Sequence, residues 1–292
     1  MGKARQTVER RQLGLALRRL REHAGLSQVE AAAAINRTHP RISKVEDGAG
    51  TIGQPELEHL LDVYDAPAAE RATMLALAVE ARKRQPRGSV TGPYTDTLPG
   101  SFQRLADLEQ DARAIYTFEP GVIPGYLQSG RYMRAVMRAC DGIFWREFGP
   151  EGEDRVGFRQ ARQSKILGAA EPKSLCFVCT KDALVDDGLH SDVMREQLQH
   201  LLALAKKHPN IELRVLSAGA LDNPAPNGGL TVLDFGDSAP MVGFAHAVYG
   251  PSSYFSEDED TAALLRAFRR IQGLALSPAR SLKLIRDSWK EI

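Results

Sequence analysis

The residues able to do chemistry are unevenly spread along the chain. Residues 1–44 hold ten lysines and arginines against three acids, a surplus of seven positive charges, while the whole chain carries a formal net charge of +1. A basic front end on a nearly neutral chain is the footprint of a polyanion-binding surface; the plainer alternative is a solvated, charged helix face. The other candidates are weaker. Cys176-x-x-Cys179 has the spacing of a redox or half-zinc motif. It lies in an apolar, strand-like run, however, where residues three apart point to opposite faces, and no second pair completes a zinc site. Buried strand cysteines are the expectation. His190, His200, His208 and His246 are scattered without a metal-ligand spacing. Glu257, Asp258, Glu259 and Asp260 sit at a helix start, where the helix dipole accounts for carboxylates. No phosphate-binding loop of the GxxxxGK[ST] type and no GxSxG is present. The expectation is therefore no catalytic set, no cofactor, no metal site and no enzyme.

The basic residues need elements to position them. Leu13, Leu17 and Leu20 recur at i, i+4 and i+7, with Ala16 and Ala24 on the same side, which predicts an amphipathic helix. Gly25 ends it. Ser27-x-x-Glu30 is a capping box that opens a second helix through Ala31–Ala34 to Ile35. Those four small side chains suit a close helix crossing. Asn36 tolerates the left-handed backbone a tight turn requires. Thr38 is placed to cap a third helix, with Pro40 in its first turn and Ile42 and Val45 facing inward. Gly48 and Gly50 end it. Two short helices across a tight turn, the second carrying outward cations, form the helix-turn-helix plan. Glu56–Leu61 and Met74–Val79 predict two more helices, completing a five-helix domain.

The run Leu26-Ser27-Gln28 through Ile42-Ser43-Lys44-Val45-Glu46-Asp47-Gly48 resembles the Cro/phage-repressor (xenobiotic-response-element) family of helix-turn-helix regulators. Asn36 stands where that family usually has glycine. The resemblance implies that Thr38 to Lys44 is a recognition helix for the major groove. It places His39, Arg41 and Lys44 toward DNA, with Ser43 assisting. Gln28 would touch a phosphate and brace the recognition helix. Lys44 is read first as a phosphate contact, Arg41 as either a base or a phosphate contact, and His39 as a base reader or a helix cap. Pro40 occupies a place where relatives often read a base. Arg21 and Glu46 match a structural ion pair of phage repressors.

Residues 101–292 mix periods. Leu105, Leu108, Ala112 and Ile115 predict a helix, and Tyr116–Gln128 is turn-rich. Helical patterns follow at 129–139 and 150–168. Leu175–Thr180 and Ile211–Leu216 read as strands on either side of a Val193–Lys206 helix. Leu230–Phe235 and Met241–Val248 suit a strand pair, and Ser256-x-x-Glu259 and Ser277-Pro278 open two last helices. This order predicts an α+β domain with a small, mostly antiparallel sheet. Glu109-x-x-Ala112, Ile123-Pro124-Gly125-Tyr126-Leu127-Gln128-Ser129 and Ala275-Leu276-Ser277-Pro278-Ala279-Arg280-Ser281 resemble the C-terminal domain common in actinobacterial regulators of this type. That resemblance implies a domain that binds a small partner protein or a signal molecule.

The predicted organisation is a basic N-terminal arm (1–12), a helix-turn-helix domain (13–80), a linker (81–100) and a sensing or partner-binding domain (101–292). Three cysteines make no secreted disulfide framework, no secretory signal is visible, and the longest apolar runs fall far below the ~18 residues of a membrane span. The expectation is a cytoplasmic homodimer on double-stranded DNA, away from membranes. Two other classes remain open: an enzyme tethered to DNA, and a non-DNA interaction module that reuses the fold.

Overall fold

The computed structural model describes residues 6–83, 93–144, 148–185, 190–247 and 250–292. Residues 1–5 of the predicted arm, residues 84–92 of the predicted linker and Val248 lie outside them. The chain divides into two compact units: residues 1–111 with 236–242 and 251–258, and residues 112–235 with 243–250 and 259–292.

The first unit is built on five helices: α1 (Val8–His23), α2 (Gln28–Ala34), α3 (His39–Glu46), α4 (Gln54–Val63) and α5 (Ala68–Arg82). Thr7 caps α1 by accepting from the Arg10 amide, so the helix begins inside the stretch 1–12 that the sequence reading gave to an arm. Gly25 follows the end of α1 at φ 71°, and Asn36 makes the turn between α2 and α3 at φ 52°. The capping box of Ser27 and Glu30 is complete in both directions. Leu13, Leu17 and Leu20 of α1 bury against Ala31, Ala32, Ile42 and Val45, and α4 and α5 close this core with Leu57, Leu60, Leu61, Met74 and Leu77. Gly14 is the closest crossing. A Cβ there would overlap the backbone oxygens of Val45 and Glu46, so only glycine lets α1 lie against the end of α3.

The first unit also contains α6 (Ser101–Asp111) and a short ladder between β1 (Tyr94–Thr95) and β7 (Ser253–Phe255). α6 packs along α1. Leu105 and Leu108 supply its buried side, and Arg104 is buried with Asp96, to which its Nε donates at 2.8 Å.

The second unit carries β2 (Ala114–Glu119), α7 (Gly130–Arg138), α8 (Gly149–Leu167), β3 (Ser174–Thr180), α9 (Ser191–Lys207), β4 (Ile211–Leu216), β5 (Leu230–Asp234), β6 (Val242–Ala245), α10 (Asp258–Leu274) and α11 (Pro278–Glu291). The sheet corrects the expectation. It has seven strands in the order β1-β7-β6-β5-β2-β3-β4 and is mixed, neither small nor mostly antiparallel. β2 runs parallel to β3, and β3 parallel to β4, while β2 and β5 are antiparallel. Two causes explain the difference. The helical reading of Leu105 to Ile115 ran too far: α6 stops at Asp111, and Ala114–Glu119, with its β-branched and aromatic residues, is a strand at the middle of the sheet. Moreover, a strand–helix–strand order returns the second strand parallel to the first, as α9 does between β3 and β4. Six of the seven residues of β3 are buried, the continuous apolar run of a strand covered on both faces. Cys176 and Cys179 are both buried there, and burial pushes both thiols up to about 12. They are therefore protonated and weakly nucleophilic at neutral pH.

Candidate nucleic-acid interface

α2 and α3 present the candidate surface, and its support is a buried charged network. Arg21 of α1 donates from Nε to Oε1 of Glu46 at 2.6 Å and from Nη2 to Oε2 at 2.9 Å, a two-pronged pair with both side chains nearly sealed from solvent (9% and 1% exposed). Its third nitrogen donates to the Leu26 carbonyl at 2.7 Å. The hydrogen bonds it donates to Glu46 hold the Arg21 guanidinium above its ordinary pKa. Gln28, at the start of α2, donates to the same Glu46 oxygen at 2.8 Å. One carboxylate at the end of α3 thus gathers donors from α1 and α2. A fork-on-carboxylate pair has fixed geometry, so it sets the angle at which α3 is presented.

The outer face of α3 is different. Thr38 occupies the N-cap position with an extended backbone but makes no capping hydrogen bond through its hydroxyl. Thr38, His39 and Pro40 are exposed, as is Lys44. Ser43 donates to Asp47 at 3.3 Å. Arg41 is half-withdrawn: its Nη2 donates to the Thr51 carbonyl at 2.6 Å and stands 3.8 Å from Oε2 of Glu56. Arg37, in the turn before α3, is paired with Glu56 at 2.6 Å. Lys44 makes no ion pair with any described residue.

Sequence counting overstated the positive surface. Arg11 of α1 pairs with Asp111 of α6. Arg18 lies 2.9 Å from Asp47 and 3.4 Å from Asp111, and Arg19 reaches Glu70 at 2.6 Å and Asp107 at 3.2 Å. Four arginines of α1, Arg21 included, are thus matched with acids of their own unit. The acids come from distant parts of the sequence, so a running charge count over residues 1–44 does not register them.

Two family models match the chain. Residues 102–287 match the family described as a domain of unknown function, DUF5753. The chain belongs to that family. Ahead of the DUF5753 region, residues 12–74 match a model described as a helix-turn-helix domain, which covers most of α1, all of α2 to α4 and the first part of α5. The DUF5753 chain therefore carries the domain of a DNA-binding regulator at its front. No curated protein matches it. Among the described residues, no helix is long and apolar enough to cross a membrane.

Proposed function

We propose that this chain is a cytoplasmic transcription regulator of the Cro/phage-repressor type, and that its DUF5753 region, of the kind common in actinobacterial regulators, is a sensing or partner-binding module rather than an enzyme. A dimer would place two copies of α3 in successive major grooves, about one helical turn apart. His39, Arg41, Ser43 and Lys44 would meet the duplex, with Thr38 at the mouth of the groove. Gln28 would contact a phosphate with whatever donor capacity its bond to Glu46 leaves. A signal molecule or small protein partner would change occupancy only by favouring one arrangement of the dimer over another.

The observation that carries this reading is the contrast across α3. Its inner side is locked by Glu46, Arg21 and Gln28, while its outer side offers exposed polar residues and an uncommitted lysine. A helix so held costs little reorganisation on docking, and its exposed side suits contacts to phosphates and base edges. The test selects duplexes from a random pool with the full-length protein, then compares the best sequence with scrambled DNA at physiological salt. A preference of about a thousandfold or more is expected. Equal affinity for both would overturn the proposal in favour of a non-DNA interaction module.

A further inference from the structure

Several charged side chains that DNA binding does not use meet in the second unit, at the edge where the parallel strands β2, β3 and β4 end. Glu119 is the last residue of β2, and His246 directly follows β6. Nε2 of His246 lies 3.6 Å from Oε1 of Glu119, and the Phe244 ring meets the imidazole edge-on at 4.5 Å. Beside them runs α8, where Arg155, Arg159 and Arg162 recur at i, i+4 and i+7 on one helical face. Arg162 stands 5.0 Å over the Tyr126 ring. Gln163 pins this part of α8 by donating to the carbonyls of Tyr126 and Gln128 at 2.6 and 3.0 Å.

Two features mark this as a lined depression rather than a solvated surface. The first is shape. His246 keeps 43% of its side chain open to solvent, yet the protein around it, with Arg162 and Arg159 close by, presses its pKa down to about 4. Glu119 is more enclosed, and burial pushes its carboxyl up to about 7. At 17% and 43% side-chain exposure the pair is partly walled in yet still reached by water, as the lining of a depression is. The second is charge. Arg159 is half-buried and forms no hydrogen bond or ion pair with a described residue; burial, reinforced by Arg162 and Arg155, lowers its pKa. A half-buried guanidinium that meets no acid among the described residues is costly. An anion seated here would relieve that cost.

We infer that this depression binds a small anionic molecule, with its carboxylate or phosphate held by Arg159 and Arg162 and a neighbouring polar atom meeting the Glu119–His246 pair. The carboxyl ends of parallel strands are where open α/β sheets place their ligands. Without an anion nearby His246 is neutral at pH 7, and Glu119 is close to half protonated. Burial is the main reason His246 stays unprotonated and the two arginines come second; an anion on them removes their share, so occupancy is reported at the imidazole. The inference deepens the sensing role proposed above by giving the signal a chemical class. Its test uses no DNA, so failure of operator binding and failure of this site are distinguishable.

The experiment follows the His246 imidazole resonances of the full-length protein, assigned with His246→Gln, through a pH titration. Inorganic phosphate and acetate are added in separate arms at millimolar concentrations. At least one probe is expected to raise the His246 pKa by about one unit, a tenfold gain in proton affinity. The arm with the larger shift identifies the preferred anionic group. Arg159→Met should abolish the shift, while Arg159→Lys, which keeps the charge, should retain most of it. Near-ultraviolet circular dichroism of each variant checks that packing is intact. If neither probe moves His246, or if both variants respond like the parent, the site does not exist. Should Arg159→Met fail to fold, loss of the shift in Arg162→Gln serves in its place, and its persistence there overturns the inference.

Discussion

At the scale of single residues, the cations near the recognition helix are far from equivalent. Lys44 is exposed and uncommitted, whereas Arg41 already holds a carbonyl of its own chain. If Lys44 neutralises one phosphate, Lys44→Ala weakens all duplexes alike and reduces the slope of log affinity against log salt by about 0.9. Fluorescence anisotropy over a salt series measures this, and selective loss at one base pair with an unchanged slope would make Lys44 a base reader. For Arg41 the expectation is a loss of about 1–3 kcal/mol on the preferred site with relaxed choice at one base pair, because its guanidinium must exchange the Thr51 carbonyl for a base edge. Equal weakening on random DNA would leave it as a loop brace. Glu119 gives a prediction of another kind. Its folded pKa of about 7 lies above the unfolded carboxylate value, so the folded state holds its proton more tightly. The contribution is complete below about pH 4 and is lost as pH rises to about 7, by up to roughly 3 kcal/mol. Glu119→Gln, which cannot ionise, should flatten that decline in urea-unfolding midpoints taken across the interval. An identical pH profile for the two proteins would show that burial does not shift this carboxyl.

At the scale of elements, the helices were legible because each local signal agreed with its neighbours. Apolar residues at i, i+4 and i+7 defined α1, Ser27 and Glu30 fixed the start of α2, and Asn36 marked the turn with φ 52°. The crossing at Gly14 was not legible. The glycine reads as a mildly unfavourable residue inside a helix, and only the proximity of Val45 and Glu46 reveals its use. The strand β2 was missed for a related reason. Its start continues the helical spacing of α6, and periodicity alone cannot separate a short apolar run of one type from the other. What locks α3 in place can be tested directly. Glu46→Ala leaves Arg21 buried without its partner and removes the acceptor of Gln28, a loss of about 3–5 kcal/mol. In the full-length protein this should lower the unfolding midpoint of the first unit, while Lys44→Ala should leave it unchanged. A Glu46→Ala protein that melts like the parent would show the network to be dispensable.

At the scale of the whole molecule, the order of elements was readable but their directions in the sheet were not. Strand direction depends on which connection crosses over and which turns back, and that is decided by packing rather than by residues local to each strand. The interface was legible in part. The recognition helix and its internal brace follow from residue types at fixed spacing, whereas the acids that match the α1 arginines come from distant segments. α6 matters most here. It belongs to the first compact unit and supplies Asp107 and Asp111 to Arg19 and Arg11. Asp111→Ala removes a charged hydrogen bond from the buried Arg11, with an expected cost of roughly 1.5–3 kcal/mol. The urea midpoint of the first unit in the full chain reports it, and no change would mean that water serves Arg11 as well as Asp111 does.

Those same arginine pairings bear on how the protein would search a genome. A regulator that neutralises many phosphates binds everywhere and slides, and its hold on random DNA collapses with salt. Here Arg11, Arg18, Arg19 and Arg21 are engaged with carboxylates, which withholds these four cations from sequence-independent backbone. Encounters with non-target DNA should then be brief. Movement between sites would proceed by detachment and three-dimensional diffusion rather than by long one-dimensional excursions, and single-molecule tracks on stretched DNA should show short dwell times that depend little on ionic strength.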